Sequence, residues 1–497
     1  MLIRPHREDL RLIGYNLGRI LVVVAAAGLI PLTWALVAGE FAPGASFLLM
    51  IGIFGTLGFF LMQRPPQASR LEWSHGMVIV SLTWLIVPAI GAIPLELSGH
   101  YGSFIDPFFD AMSGLTTTGL ALIQDLDHLA TSLNFWRHLL HFLGGQGIVI
   151  AVLSLFAGGG AMTLYYGEAR DDQIFPSVRS TARFIWLVSA VHAFFGIVAL
   201  GAVGYFVLGF RPFRALFHGV TIFMAAFDTG GFAPQSSSIG YYHSGSFEAV
   251  TAVLMVAGAL SFGLHYALWR GRHQVINNLE VRTILSTFLG TLLLTLGGLA
   301  SSGAFDSLRG LSRQGFFQVL SAHTGTGFAT VPSLELASWG GLAFGGMAIA
   351  MALGGMGSST AGGVKSLRIG LTLKALSSQV RQVLLPEGAV ISNRYWHHGW
   401  RQLNSDLIQA VMGVSLLYVA LYLLGAGAGL MYHLPLQSAL FESVSAGANV
   451  GLSVGITDPS MPSVLKLIYA FQMWAGRLEF VAIFSLFGFL ISLVRGK

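Results

Sequence analysis

Long apolar runs alternate with short polar connections along the chain. Most runs reach the length that a helix needs to cross the hydrocarbon core of a bilayer, about 20 residues. Ten such runs occur, at residues 20–38, 42–62, 76–95, 138–166, 184–210, 249–269, 283–305, 336–364, 407–441 and 467–494. The pattern predicts an all-α polytopic membrane protein with ten spans.

Four connections on one predicted side of the bundle contain a further semi-apolar segment of about 10–15 residues, too short to cross a bilayer. These segments lie near 104–115, 212–227, 308–323 and 435–445. Each leads into a short polar stretch that carries one aligned glycine, namely Gly119, Gly231, Gly327 or Gly451. The residue after each glycine is large and apolar, and the residue six positions before it is small.

Self-similarity of this kind is a signal at the level of the fold. It predicts four pseudo-fourfold helix–pore-loop–helix repeats around a central pore, preceded by an additional two-helix hairpin. Each repeat would hold a span, a re-entrant half-helix, a glycine-bearing strand and a second span. The predicted units are 1–75 for the N-terminus and hairpin, then 76–180, 181–275, 276–400 and 401–497 for the repeats.

Backbone that leaves a helix at membrane depth is tolerated where it lines a water-filled cavity. Four such stretches on one axis would present rings of carbonyl oxygens, which can replace the hydration shell of a monovalent cation. The alternative is that these glycines only allow neighbouring helices to pack tightly. That alternative would explain a single stretch, but it explains four stretches in equivalent places poorly. The predicted ligands are Thr117, Thr118, Gly119, Thr229, Gly230, Gly231, Gly325, Thr326, Gly327, Asn449, Val450 and Gly451.

The eighth apolar run contains a segment that disfavours a helix, because glycine and hydroxyl residues follow one another at 354–365. A loop there, below the predicted filter, would plug the pore and act as a gate. A helix kink packed against its neighbours is the alternative. The predicted gating residues in this segment are Gly354, Gly355, Gly357, Ser358, Ser359, Thr360, Gly362 and Gly363.

Arg477 lies within the last apolar run. An ionised side chain at membrane depth costs several kcal/mol unless it is paired or faces water, so it marks a functional position by default. A fixed positive charge facing the pore would repel a cation and gate its passage. A structural pair with Glu479 or Glu442, or snorkelling to the interface, is the alternative.

Composition and charge narrow the function classes further. Hydrophobic residues make up 54% of the chain and charged residues 10%, which excludes a soluble fold, disorder and a nucleic-acid-binding module. The chain has no cysteine, so disulfides, thiolate nucleophiles and Cys-ligated metals are excluded. Twenty of the 27 Lys and Arg residues fall on the side of the termini, which predicts that both termini are cytoplasmic.

Other candidates are weaker. His138 and His141 lie one helical turn apart, as many core residues do, so a metal site is disfavoured. Asp110 and Asp228 stand beside the glycine stretches, where they would either attract cations or accept backbone N–H groups. The aromatic and basic segment 394–400 suits an interfacial belt, with a docking surface for a soluble partner as the second choice.

These motifs together resemble the TrkH/KtrB family of potassium uptake proteins. The matching stretches are 110–119, 144–147, 354–365, 449–452 and 476–479. The resemblance runs from about Gly76 to the C-terminus, and the first two spans resemble the additional N-terminal hairpin of the TrkH branch. Asp228 departs from the family pattern, where a small uncharged residue is more usual, and Gly325 stands where threonine is often found. Both departures bear on the K⁺/Na⁺ ratio.

The resemblance implies K⁺ as the transported ion, with selectivity at the four aligned glycines and gating by the glycine-rich loop and Arg477. It implies a homodimer in the cytoplasmic (inner) membrane, with one pore per subunit. It also implies a cytosolic ring of nucleotide-binding subunits of the TrkA/KtrA type, and no organic cofactor in this chain.

Two other functions compete with a conducting pore. A symporter coupling K⁺ or Na⁺ to H⁺ or Na⁺ would need an intramembrane carboxylate, and only Glu479 qualifies within the predicted spans. A membrane-embedded hydrolase would need a Ser/His or paired-Asp constellation, which the spans lack. The sequence therefore predicts an ion-conducting subunit and not an enzyme.

Overall fold

The computed structural model describes residues 5–66, 71–147, 178–271, 273–303, 307–386, 393–397 and 399–496. Helices dominate these residues, which confirms the predicted helical class. A two-stranded antiparallel hairpin, β1 (Arg394–Trp396) and β2 (Trp400–Gln402), pairs Tyr395 with Arg401.

Twenty α-helices follow one another along the described residues. They are α1 (Arg7–Ala38), α2 (Phe41–Met62), α3 (Trp73–Gly91), α4 (Ile93–Glu96), α5 (Ile105–Leu115), α6 (Thr131–Gly145), α7 (Val178–Ala202), α8 (Pro212–Phe227), α9 (Gly245–Ala259), α10 (Phe262–Trp269), α11 (Leu279–Ser302), α12 (Leu308–Gly310), α13 (Phe316–His323), α14 (Ser333–Ser338), α15 (Gly341–Leu353), α16 (Ser366–Leu384), α17 (Ser405–Met431), α18 (Leu436–Gly447), α19 (Ser463–Leu478) and α20 (Val481–Arg495). Short π-helical turns occupy Val203–Val207 and Leu311–Gly315, and 3₁₀ turns occupy Ser238–Tyr242 and His273–Asn277.

Six stretches of helix in the described residues are long and apolar enough to cross a membrane, and two bent pairs would bring the number to eight. The six are Arg7–Ala38, Phe41–Met62, Trp73–Glu96, Ser180–Val207, Leu279–Ser302 and Ser405–Met431. Of the predicted runs, 138–166 lies largely outside the described residues, and 336–364 contains only the short apolar helix α15. The count of ten spans stays a prediction.

Two runs that the sequence treats as continuous are sharply bent. The axes of α9 and α10 differ by 103°, and those of α19 and α20 by 109°. The second bend falls on two residues with left-handed backbone, Glu479 (φ 50°) and Phe480 (φ 72°). Non-glycine residues rarely adopt such angles, so this second bend does not follow from the apolar pattern.

Helices α1 and α2 form the predicted N-terminal hairpin and cross at a pair of glycines. A Cβ on Gly18 would lie 2.6 Å from the Gly58 oxygen, and one on Gly58 would lie 2.8 Å from the Gly18 oxygen. Small residues at such a crossing allow two backbones to approach closely inside a membrane. The Glu40 carboxylate in the turn between them accepts hydrogen bonds from the N–H groups of Thr131 (2.8 Å) and Ser132 (2.9 Å), and so ties the hairpin to the start of α6.

Four short, largely buried helices stand where the semi-apolar segments were predicted: α5, α8, α13 and α18. Each packs between two longer helices, one before it and one following it in the chain: α5 between α3 and α6, α8 between α7 and α9, α13 between α11 and α15, and α18 between α17 and α19. The following helix in turn packs on the next short helix: α6 on α8, α9 on α13, α15 on α18, and α19 back on α5. The order of contacts is therefore closed and cyclic.

Candidate functional site

The four glycine stretches converge at the centre of this cycle. A Cβ built on each aligned glycine would meet a carbonyl oxygen of the next stretch at a distance that no real side chain tolerates. The distances are 2.3 Å from Gly119 to the Gly230 oxygen, 2.1 Å from Gly231 to Thr326, 1.8 Å from Gly327 to Val450, and 2.2 Å from Gly451 to Thr118. Since the fourth contact returns to the first stretch, the twelve predicted ligand residues lie in one closed ring of main chain.

Each stretch has the same alternating backbone. The aligned glycine is left-handed in all four, with φ between 74° and 95°. The residue two positions earlier is also left-handed, with φ of 54° at Thr117, 50° at Thr229, 73° at Gly325 and 55° at Asn449. Gly325 therefore occupies a position where glycine relieves strain that threonine and asparagine bear elsewhere in the ring.

The small residue six positions before each glycine is the anchor of its stretch. Ser113 accepts one hydrogen bond at its carbonyl oxygen (2.8 Å) and one at Oγ, from the Gly119 N–H (3.0 Å). Ser445 does the same for the fourth stretch, at 2.9 and 3.0 Å. In the second and third stretches, the carbonyl oxygen of Ala225 or Ser321 accepts from both donors at 2.8–3.4 Å. A larger side chain would displace the strand from its helix.

A second anchor lies nine positions before the glycine, and the sequence indicated it only at Asp110. There a side-chain oxygen accepts the N–H of the residue three positions after the glycine. The pairs are Asp110 with Leu122 (2.6 Å), Gln318 with Thr330 (2.8 Å) and Glu442 with Val454 (2.9 Å). In the second stretch the corresponding residues are Ile222 and Pro234, and because proline has no N–H, no acceptor is needed. Asp110 is thus an acceptor of a loop N–H, one of its two predicted roles.

Asp228 has a side-chain contact that neither of its two predicted roles included. The Gln146 amide donates to its Oδ1 at 2.7 Å, and the Ser189 hydroxyl donates to the other end of that amide at 2.6 Å. The carboxylate is buried against Gly145, where a Cβ would lie 2.5 Å from Oδ1. Through Gln146 and Ser189, Asp228 therefore links the second stretch to the end of α6 and to α7.

The imidazoles of His138 and His141 both contact the main chain of Phe232, the residue after Gly231. The Nε2 atom of His138 lies 3.0 Å from the Phe232 oxygen, and that of His141 accepts the Phe232 N–H at 3.3 Å. The Nδ1 atom of His141 reaches the Gly114 oxygen at 2.7 Å, so it links the first half-helix to the second stretch. Among the described residues, no cluster of three metal-ligating side chains occurs.

Arg477 reaches the ring directly. Its guanidinium donates to Thr117 Oγ1 (3.0 Å), the Thr360 oxygen (2.7 Å) and the Gly144 oxygen (2.9 Å). The indole of Trp84 lies 5.6 Å from the guanidinium carbon. The two carboxylates suggested as its partners are held elsewhere: Glu479 binds Lys365 (2.7 Å) and Arg368, and Glu442 accepts from Ser453 (2.5 Å) and Thr457 (2.8 Å).

The glycine-rich segment was predicted to break the helix, and it is indeed non-helical. It lies against the three stretches that Arg477 does not contact. Helix α15 ends at Leu353 and α16 begins at Ser366. Between them, Thr360 Oγ1 lies 3.3 Å from Thr229 Oγ1. A Cβ on Gly362 would lie 2.2 Å from the Ala448 oxygen, and one on Gly325 would lie 3.5 Å from the Gly362 nitrogen. The loop thus lies against the second, third and fourth stretches, and Arg477 lies against the first.

The two sides of the ring differ greatly in open space. A vestibule of about 570 Å³ adjoins all four aligned glycines and is bordered by residues such as Leu120 and Ser237. On the other side, a cavity of about 20 Å³ lies among Trp84, Ser359 and Arg477. That volume holds about one water molecule. Among the described residues, the loop at 354–365 and Arg477 border this small cavity.

Apolar helices of spanning length, buried half-helices and a central ring of backbone define an integral membrane protein of the helical class. Comparison with known proteins identifies the family. A family model described as TrkH, cation transport protein, matches residues 46–491, and the chain belongs to this family.

Similar proteins cover nearly the whole chain. A TrkH potassium uptake protein of the Trk system from Halomonas elongata is 30% identical over 96% of this chain and 98% of its own length. An uncharacterised cation transporter of Methanocaldococcus jannaschii is 29% identical, over 97% and 96% of the two chains. The crystal structure of the potassium transporter TrkH from Vibrio parahaemolyticus has the same fold, with a TM-score of 0.79 and 23% identity over 95% of this chain and 97% of that one.

Proposed function

We propose that this chain is the ion-conducting subunit of a potassium uptake system. Membership of the family and the similarity to a TrkH potassium uptake protein support potassium transport. The observation that carries the proposal is the closed ring, in which four left-handed glycines each lie against a carbonyl oxygen of the next stretch. Such a ring has no enzymatic chemistry, and it suits a conduit.

The proposed filter uses main-chain oxygens as ligands for K⁺, the transported ion. Alternation of left-handed and right-handed residues turns successive carbonyls toward the same side, so each stretch would offer several layers of oxygens. The four half-helices end at the ring, and their C-termini would add partial negative charge that favours a cation. We assign the ligand role to residues 117–119, 229–231, 325–327 and 449–451, one set in each of four repeats.

The proposed gate consists of the loop at 354–365 together with Arg477. Both occupy the side of the ring where the open volume holds about one water. A cation leaving the filter would meet a guanidinium that contacts Thr117 and Thr360. Conduction in this proposal requires the loop to move and the guanidinium to release its three acceptors.

We further propose that the chain lies in the cytoplasmic membrane with both termini in the cytoplasm, in accordance with its basic loops. The vestibule would then face outward and the gate inward. A homodimer with one pore per subunit, and a cytosolic nucleotide-binding partner of the TrkA/KtrA type, complete the proposed assembly. The coupled symporter is less well supported, because Glu479, its candidate coupling carboxylate, is engaged by Lys365 and Arg368.

The decisive experiment is uptake of K⁺, with Na⁺ as the comparison, in a transport-deficient host that expresses the full chain. We expect K⁺ uptake that follows the K⁺ gradient and is lost on Gly327→Val, with or without a candidate cytosolic subunit. Reconstituted protein should give currents whose reversal potential tracks K⁺ alone. A reversal potential that shifts with the proton gradient would reject the conduit in favour of coupling.

A further inference from the structure

A cavity unrelated to the ring lies beside the β1–β2 hairpin. It has a volume of about 490 Å³ and is formed by the hairpin, the start of α11 and the middle of α16. The hairpin is held firmly there, because Tyr395 and Leu403 pack with Leu371 and Ala375 of α16 in a small core of their own. The walls of this cavity are therefore fixed with respect to one another.

The cavity is lined by three cationic side chains, Arg282, Lys374 and Arg394. Arg282 donates to the Ile276 oxygen (3.0 Å) and to Asn277 Oδ1 (2.9 Å), both uncharged. Within the described ranges, no carboxylate lines the cavity or forms an ion pair with any of the three. Three positive charges with no counter-charge among the described residues of one concave site favour an anion.

The remaining walls indicate the kind of anion. Tyr395, Trp396 and Trp400 line the same cavity, and the rings of Trp396 and Trp400 pack edge to face at 5.6 Å. Tryptophan and tyrosine concentrate at the boundary between hydrocarbon and headgroups. Leu279, where the long apolar helix α11 begins, also lines the cavity, which places it at the end of a span.

Helix α16 supports the same location. It is apolar on an exposed face that includes Leu373, Leu376 and Val380, on either side of Lys374. An amphipathic helix of this kind lies in the interface, with its apolar side toward the acyl chains and its basic residues at headgroup level. A soluble anion would not need this apolar border.

We propose that this cavity binds the phosphate-bearing headgroup of an anionic phospholipid. The three cations contact the phosphate, and the aromatic rings border the glycerol region. Basic pockets at the ends of membrane helices are suited to such headgroups. This inference does not depend on the ion that the central ring conducts.

Bound lipid would act on the neighbouring gate segment. Helix α16 begins at Ser366, directly after the glycine-rich loop, and the Gly357 N–H donates to Glu280 Oε1 of α11 at 2.5 Å. A headgroup held by Arg282 of α11 and Lys374 of α16 would join the two helices that flank this loop. Anionic lipid therefore stabilises the arrangement of the two helices as well as the cavity itself.

The test compares purified full chain in nanodiscs of pure phosphatidylcholine with nanodiscs that contain phosphatidylglycerol, and counts retained lipids by native mass spectrometry. We expect retention of phosphatidylglycerol and a higher thermal midpoint in its presence. The double variant Lys374→Gln/Arg394→Gln should weaken that retention by roughly tenfold or more, because each basic residue near an anionic lipid contributes several-fold. Arg381→Gln, on the same helix but outside the cavity, is the matched control and should retain the lipid.

Three outcomes would overturn the proposal. Equal retention of phosphatidylglycerol by the double variant and the wild type would show that the cavity is not the lipid-binding site. Equal stabilisation by inorganic phosphate in detergent would assign the cavity to a soluble anion. Unchanged lipid retention combined with lost stimulation by a cytosolic subunit would make the hairpin a protein-docking surface instead. The thermal midpoint in phosphatidylcholine alone shows whether the double variant is folded.

Discussion

At the scale of single residues, the two left-handed positions of a stretch differ in the space around them. A Cβ at Gly325 would find its nearest neighbour at 3.5 Å, whereas one at Gly327 would lie 1.8 Å from the Val450 oxygen. The first position therefore restricts only the backbone angle, and the second also excludes any side chain. Thr117, Thr229 and Asn449 occupy the first kind of position, which agrees with this distinction.

We predict that Gly325→Ala folds and transports, with a loss of about 1–2 kcal/mol in stability from the left-handed angle alone. Gly327→Ala should abolish selective uptake, because the methyl group cannot fit beside the Val450 carbonyl. Uptake assays and thermal unfolding of both variants measure the difference. Equal effects of the two substitutions would contradict the assignment of Gly327 to the ring contact.

The acceptor nine positions before each glycine gives a second prediction. Gln318→Leu should destabilise the protein by roughly 1–3 kcal/mol, because the Thr330 N–H loses its partner in a largely buried site. Ile222→Leu, at the equivalent position of the second stretch, should cost less than about 1.5 kcal/mol. Chemical unfolding of the two variants checks this, and a larger loss at Ile222 would show that the acceptor has no anchoring role.

At the scale of elements, Glu40 links the N-terminal hairpin to α6. Burial alone would raise the pKa of this carboxyl, but hydrogen bonds from Ser132 and Thr131 outweigh it and hold the pKa below its ordinary value of 4.5. A lowered pKa in the folded state stabilises the protein above the unfolded pKa, and the effect is lost as the pH falls through the folded value. The negative charge also suits the N-terminus of a helix.

We therefore predict that Glu40→Gln lowers stability at neutral pH by about 1 kcal/mol, the size of a typical N-terminal cap. The difference from the wild type should shrink as the pH falls through the lowered pKa of Glu40, since the wild-type carboxylate is then protonated. Thermal unfolding across acidic and neutral pH measures it. A pH-independent difference between Glu40→Gln and the wild type would rule out the charge as the cause.

The gate elements give a prediction about the flux of K⁺. Arg477→Ala should raise the flux of K⁺, because it removes a positive charge and the guanidinium that links Thr360 of the loop to Thr117 of the ring and to Gly144 of α6. Deletion of 355–362 should likewise leave a leakier pore. Both are measured as K⁺ flux in reconstituted vesicles. A lower flux from correctly folded Arg477→Ala would refute the barrier, and a tightly closed deletion variant would refute the plug.

At the scale of the whole molecule, the sequence predicts those features that depend on residues close together in the chain. The aligned glycines and the small residues before them are visible because each stretch repeats the same backbone requirement. The partners of Arg477 are not visible, since Thr117 and Gly144 are more than 300 positions away in the chain. The bend at Glu479 and the contact of Asp228 with Gln146 escape prediction for the same reason, because tertiary contacts determine them.

The difference in volume between the vestibule and the small cavity on the opposite side of the ring leads to a final prediction about orientation. The chain has no cysteine, so single introduced cysteines can be labelled without background. Ser237 is exposed and lines the vestibule, and Arg401 is exposed on the hairpin near the proposed lipid site. With the termini in the cytoplasm, Ser237→Cys should react with a membrane-impermeant thiol reagent added to intact cells, and Arg401→Cys should react only after lysis.

A third variant separates orientation from closure. Ser359→Cys lies at the small cavity below the ring, where about 20 Å³ is open, and should be unreactive from both sides while the loop is in place. In the double variant Ser359→Cys/Arg477→Ala, the loop loses its attachment to the ring. The introduced cysteine should then react with reagent added on the side of Arg401. Reaction of Ser359→Cys from the vestibule side would contradict this, since the reagent is far wider than a ring lined by glycine backbone.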